Sequence, residues 1–302
     1  MTLEALLIQA FNGISLGSIL LLIALGLAIT FGLMKVINMA HGELIMIGAY
    51  TTYVVQSIFT QYIPAHLFDL YFVLAIPIAF IVAALIGMLL EYTIIRHLYG
   101  RPLDSLLATF GVGLILQQTA RSIFGAPNVG VEAPSFLRGG VEVMSVTLPV
   151  SRLFIIALVL VCFAILSFYL YKTNNGRKIR AVMQNRQMAM CVGISTRRVD
   201  ATTFAIGAGI AGIAGAALTL IGPIGPTIGT FYIVDAFMVV VVGGVGMLVG
   251  TVAGAMGIGV FNTVFEYWTN ASMGKVLIFA LIVLFLQWRP SGMFSLRTRS
   301  LD

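Results

Sequence analysis

The chain has 302 residues, of which 60% are hydrophobic and 9% charged, against about 45–50% and about 25% in soluble globular domains. A mean hydropathy of +1.05 with 32 glycines excludes a water-soluble protein and describes helices that meet closely within lipid. At about 20 residues per crossing the length allows roughly eight to ten spans, so 1–302 reads as one transmembrane domain with no separate soluble part, and the net charge of +6 reports membrane orientation rather than nucleic-acid binding.

Apolar runs are predicted over 5–33, 44–63, 70–95, 104–124, 152–171, 201–221, 231–261 and 274–288. The opening Met-Thr-Leu-Glu lacks the basic n-region of a signal peptide, so the first run is expected to remain in the mature protein. The connections 34–42, 96–103, 172–200 and 287–302 carry 13 of the 17 Lys and Arg residues. By the positive-inside rule they are cytoplasmic, which puts the N-terminus outside and the C-terminus inside.

Between the first two runs lies a polar island, KVINMAHGE, from Lys35 to Glu43. It fits either a tight cytoplasmic turn or a broken helix. Asn38, His41 and Glu43 are candidate pathway residues, because a break is where a membrane helix offers donors and acceptors to a polar solute. Glu91, near the cytoplasmic end of its span, is expected to snorkel or to pair with Arg96. The outer connection 125–150, with Pro127, Pro134 and Pro149 and an alternating stretch from Val141 to Val146, suits a short hairpin.

The loop 172–200 differs in kind. Arg177 to Cys191 reads as one amphipathic helix with Ile179, Val182, Met183, Arg186 and Met190 near one face and Gly193 ending it. Such a stripe needs a cover, which is either the membrane surface or a cytoplasmic partner. The segment from Gly207 to Gly259 holds 14 of the 32 glycines, with close-packing spacings at Ala208/Gly212, Ala211/Gly215 and Gly250/Gly254. The run 231–261 must begin and end outside, which one crossing does not allow. Gly243, Gly244 and Gly246 therefore mark a break, and 231–262 reads as a re-entrant pair of short helices with Asp235 capping the first, these four residues being further pathway candidates. Glu266 is placed at the outer interface.

Absences narrow the chemistry. There is no G-x-x-x-x-G-K-[ST] loop, so the chain is not expected to hydrolyse ATP through a P-loop of its own, and no HExxH, paired Cys-x-x-Cys or GxSxG. No cofactor, metal site or catalytic residue is expected. The cysteines Cys162 and Cys191 lie at different depths and are not expected to pair. No carboxylate chain crosses mid-span, which weakens a proton- or ion-coupled carrier, and no filter-like loop supports an ion channel.

Three ordered stretches, FGLMKVINMAHGELIMIGAY (31–50), AVMQNRQMAMCVGI (181–194) and YIVDAFMVVVVGGVGMLVGTVAGAMGIGV (232–260), resemble the permeases of bacterial ABC importers for branched-chain amino acids and their urea-importing relatives. The resemblance implies an all-α polytopic bundle in the inner membrane. It also implies partners: a second homologous permease, two cytoplasmic ATP-binding subunits and a periplasmic substrate-binding protein. The stretch 181–194 matches the family's ATPase-coupling segment, with Ala181, Ala189, Gly193 and Ile194 at the expected spacing and Arg186 and Gln187 where acidic residues are often found. The C-terminal third, including QWRPSGMF at 287–294, is similar to the urea branch, with branched-chain amino acids as the alternative substrate. A stand-alone channel or secondary transporter is the competing class.

Overall fold

A computed structural model describes residues 3–34, 37–143 and 146–294. Nine long helices make the bundle among these residues: α1 (Leu3–Met34), α2 (His41–Tyr62), α3 (Leu70–Thr93), α4 (Pro102–Phe124) and α5 (Val150–Lys172), then α8 (Thr196–Leu218), α9 (Ile228–Gly243), α10 (Leu248–Trp268) and α11 (Ala271–Trp288). Two short helices, α6 (Asn174–Gln184) and α7 (Arg186–Cys191), fill the basic loop. Among the described residues five stretches are long and apolar enough to cross a membrane: Ile8–Gly32, Leu70–His97, Val150–Lys172, Thr196–Leu218 and Leu248–Trp268.

The exterior fits lipid. Leu85 and Leu89 on α3, Leu107 and Ile115 on α4, Ile165 and Phe168 on α5 and Leu284 on α11 are all exposed, which in water would be a large apolar liability. The core has no such freedom. Leu22, Ile23, Ala24 and Leu25 of α1 are fully buried, with α5, α8, α9 and α10 around them.

Helix α8 packs through glycine. A Cβ at Gly207 would lie 2.7 Å from the Gly26 carbonyl oxygen, one at Gly212 2.5 Å from the Ala79 carbonyl, and one at Gly215 would collide with the Ile45 carbonyl. The small residues that pattern alone assigned to packing thus let α8 touch α1, α2 and α3 backbone to backbone.

The expected outer hairpin is present as β1 (Gly140–Val143) and β2 (Val146–Pro149), antiparallel with Glu142 opposite Thr147; its turn falls outside the described residues. The pair expected over 231–262 is longer than predicted. α10 alone is a full span candidate, and the turn at Gly244 (φ 101°) and Gly246 (φ 80°) lies against Gly32 near the end of α1 and Phe294 beyond the end of α11. Glycine is required at both φ values. The two helices therefore form a hairpin whose turn reaches the end of the bundle where α1 and α11 finish.

Candidate functional site

The interval between α1 and α2 holds the main polar cluster. Residues 37–40 are not helical, yet Asn38, Ala40 and His41 are buried. Burial of these three fits a broken helix better than a solvated turn, which would expose them; Lys35 and Val36 of the island lie outside the described residues. The local chemistry explains the break: Asn38 Oδ1 accepts from Ala40 N at 3.1 Å, a side-chain-to-backbone bond that competes with helix. Met39 N donates to Thr109 Oγ1 of α4 at 3.1 Å. α2 then starts inside the protein, with His41 Nε2 3.4 Å from the Ile23 carbonyl of α1.

Glu43 is 3% exposed. Its Oε1 accepts from Gln117 Nε2 of α4 at 2.8 Å, and the same amide donates to Thr230 Oγ1 of α9 at 2.9 Å. Gly42 makes this junction possible, since a Cβ there would lie 2.6 Å from the Gly229 carbonyl oxygen. Three helices meet at one amide. Asn38 Nδ2, His41 Nδ1 and Glu43 Oε2 have no hydrogen-bond partner among the described residues, an arrangement that invites a polar occupant because buried polar groups are nearly always paired.

Asp235 does not cap a helix. It lies two turns inside α9, and its Oδ2 is 3.4 Å from Lys275 Nζ of α11. The pair borders a cavity of about 450 Å³ shared with Leu16, Ile228, Phe231, Asn262 and Glu266. Asn262 Nδ2 donates to Glu266 Oε1 at 2.6 Å. Sequence reasoning missed Lys275 as a partner, although a lone cation early in an apolar run is the signal. Gly243, Gly244 and Gly246 lie at the α9–α10 turn, apart from both polar groups.

The basic loop is two helices, not one. Asn185 breaks it and caps α7, its Oδ1 accepting from Met188 N at 2.9 Å. The expected uncovered stripe is covered: Ile179 and Val182 are buried where α6 meets α1, α5 and α8. Exposed apolar surface appears instead at Met188, Met190 and Val192. Ala189 is buried, Ala181 and Ile194 are half-buried, and Gly193 ends α7 at φ 83°.

Arg186 reaches inward. Its guanidinium binds both carboxylate oxygens of the fully buried Asp200, Nη1 to Oδ1 at 3.1 Å, and lies 5.0 Å above the Tyr99 ring centre. Burial opposes the Arg186 charge, but the Asp200 carboxylate outweighs it and holds the pKa above the ordinary arginine value. Tyr99 OH donates to Glu91 Oε1 at 3.0 Å. This corrects the expected Glu91–Arg96 pair: Arg96 stacks on Tyr92 at 4.5 Å instead.

The chain matches the family described as "Branched-chain amino acid transport system / permease component" over residues 9–286. It is 30% identical over 294 residues to the high-affinity branched-chain amino acid transport system permease protein LivH of Salmonella typhimurium, covering 94% of each chain. It is 27% identical over 289 residues to the corresponding BraD of Pseudomonas aeruginosa, again covering 94% of each. With the LivM permease of Escherichia coli it shares 28% over 303 residues, 92% of this chain and 68% of that one. No solved structure matches.

Proposed function

Because this chain belongs to the family of branched-chain amino acid transport system permease components, we propose that it is one permease subunit of an ATP-dependent importer of leucine, isoleucine and valine. The urea branch, read from the C-terminal third, gives way to this alternative, since LivH and BraD are named for branched-chain amino acids. The observation that carries a transport role is the interrupted α1–α2 segment, which holds Asn38, His41 and Glu43 inside the bundle beside α4 and α9. Unpaired polar groups at membrane depth suit a polar solute in transit.

The subunit is a multi-pass protein of the inner membrane, with α6 and α7 cytoplasmic and the β1–β2 hairpin outside. Similarity to both LivH and LivM supports a paired permease. ATP-binding subunits would dock on Met188, Met190 and Val192, and a binding protein would deliver substrate on the hairpin side. Motion of α7 would pass through the Arg186–Asp200 pair into α8 and shift the helices around Glu43, giving alternating access. Uptake of radiolabelled leucine and urea, in cells with and without this gene and otherwise lacking both activities, tests the reading. Gene-dependent, ATP-requiring leucine uptake is expected; urea uptake alone would restore the urea branch, and uptake by the chain alone in liposomes without ATP would refute an importer subunit.

A further inference from the structure

We propose that the Glu43 carboxylate receives the α-ammonium group of the translocating amino acid, and that the Gln117 side-chain amide holds that place while the pathway is at rest. The proposal rests on the branched-chain amino acid reading above and adds the group that recognises the substrate.

The charge balance points to a cation. The ion pairs among the described residues use Asp104, Glu132, Asp200 and Asp235, and none of them involves Glu43. A carboxylate withdrawn from water without a countercharge is unfavourable, and it either takes up a proton or finds a cation. What it holds now is a neutral substitute. Gln117 Nε2 offers two N–H groups, one to Glu43 Oε1 and one to Thr230 Oγ1. A primary ammonium offers three, with full charge, to the same two acceptors and one more.

The remaining acceptor is already present. Glu43 Oε2 is unpaired. His41 Nε2 faces the Ile23 carbonyl, so the neutral ring that donates there leaves Nδ1 as an acceptor, and Nδ1 is also unpaired. Asn38 Nδ2 is an unpaired donor in the same cluster. Glu43 Oε2 and Thr230 Oγ1 are the acceptors on the side of α2 that faces α4 and α9, while His41, two residues earlier, faces α1. These acceptors do not form a set suited to a wholly apolar solute.

Access comes through α4. That helix is tied to the cluster by Gln117 to Glu43 and by Met39 to Thr109, while Leu107, Phe110 and Leu114 on it are exposed. Moving α4 outward breaks the Gln117 bond and frees Glu43 for the solute. Returning it lets the amide displace the ammonium, so the site does not retain its cargo.

The test uses the whole importer in proteoliposomes: this chain, its partner permease, the ATP-binding subunits and the binding protein. Leucine uptake and leucine-stimulated ATP hydrolysis are read together for the wild type, Glu43→Gln and Glu43→Asp. Glu43→Gln should lower uptake by about tenfold or more, as for loss of a charge-assisted hydrogen bond, with stimulated hydrolysis retained. Glu43→Asp should recover part of the uptake. Wild-type uptake by Glu43→Gln overturns the proposal alone, as does loss of assembly and hydrolysis in both variants, which marks a purely structural carboxylate. A wild-type complex that carries urea and not leucine overturns the substrate reading and this proposal with it.

Discussion

Lys275 Nζ stands 3.4 Å from Asp235 Oδ2, joining the start of α11 to the middle of α9. α11 otherwise packs mainly on α10, so this pair fixes its second neighbour. Asp235→Asn and Lys275→Gln should each lower the Tm of the detergent-solubilised complex, and the double variant should lose less than the two losses combined. A coupling of about 1 kcal/mol is expected, because Lys275 is half-exposed. Strict additivity in the thermal melts would show that the pair does not act as a unit.

Removing Arg186 leaves Asp200 buried without a countercharge. Arg186→Ala should therefore destabilise by about 3 kcal/mol, the low end for a broken buried pair since Arg186 is itself one-third exposed. Arg186→Lys should not fully rescue, because a single ammonium does not span both carboxylate oxygens. Urea denaturation of the loop, followed by protection of α6–α8 amides from exchange, gives the measurement; full protection in Arg186→Ala contradicts the assignment.

Gly215→Ala should be among the most damaging single-methyl additions in the chain. The new Cβ meets the Ile45 carbonyl and lies 2.7 Å from Ala49 N, atoms that belong to the α2 backbone and do not yield. Overpacking of this kind costs about 1–3 kcal/mol. Gly111→Ala, with nothing near its Cβ, is the control and should leave folded yield unchanged. Equal yields from both would mean that α8 and α2 are not in close contact.

Met188→Glu should reduce co-purification of the ATP-binding subunit while the permease still folds, since Met188 is 61% exposed. Ala189→Glu should act differently. Its Cβ is buried, so a carboxylate there disrupts α7 itself and lowers permease yield. Gly193→Val should do likewise, because φ 83° excludes a β-branched residue. If Met188→Glu captures the ATPase as well as wild type does, the docking surface lies elsewhere.

The loop carrying β1 should loosen in acid. Asp69, just before α3, accepts hydrogen bonds from the Ser135 hydroxyl and, at 2.8 Å, from its backbone N–H, and these bonds hold its carboxyl below the ordinary 3.8. A depressed folded pKa gives stabilisation that is complete above the unfolded value and disappears as pH falls through the folded one. Protection of the amides around Ser135, taken relative to the intrinsic exchange rate at each pH, should be high at neutral pH and fall below pH 3.8. An unchanged rate in Asp69→Asn at neutral pH would remove the carboxylate from this role.

Much of this architecture is legible in hydropathy and glycine spacing. The α8 stripe through Gly207, Gly212 and Gly215 and the turn at Gly244 and Gly246 follow from small residues placed where backbones meet or φ turns positive. Partners at long range are not legible. Nothing local in Gln117 announces Glu43, which lies 74 residues earlier, and nothing in Arg186 announces Asp200, 14 residues later. Asn185 also shows the limit of periodicity: the apolar spacing of 177–191 suits one helix, but a side-chain cap within it starts a second.

The burial of α1 sets the order in which the protein can be made. Its most apolar window, within Ile8–Gly32, is 83% enclosed, yet the helices that enclose it, α5, α8, α9 and α10, begin at Val150 or later. α1 leaves the ribosome before these helices and therefore waits in lipid, with Ser15, Ser18 and Thr30 unenclosed, until the last third of the chain arrives. A chain stopped before α10 leaves its own centre uncovered, so quality control that recognises exposed small and polar residues in the bilayer has a long interval in which to act on this subunit.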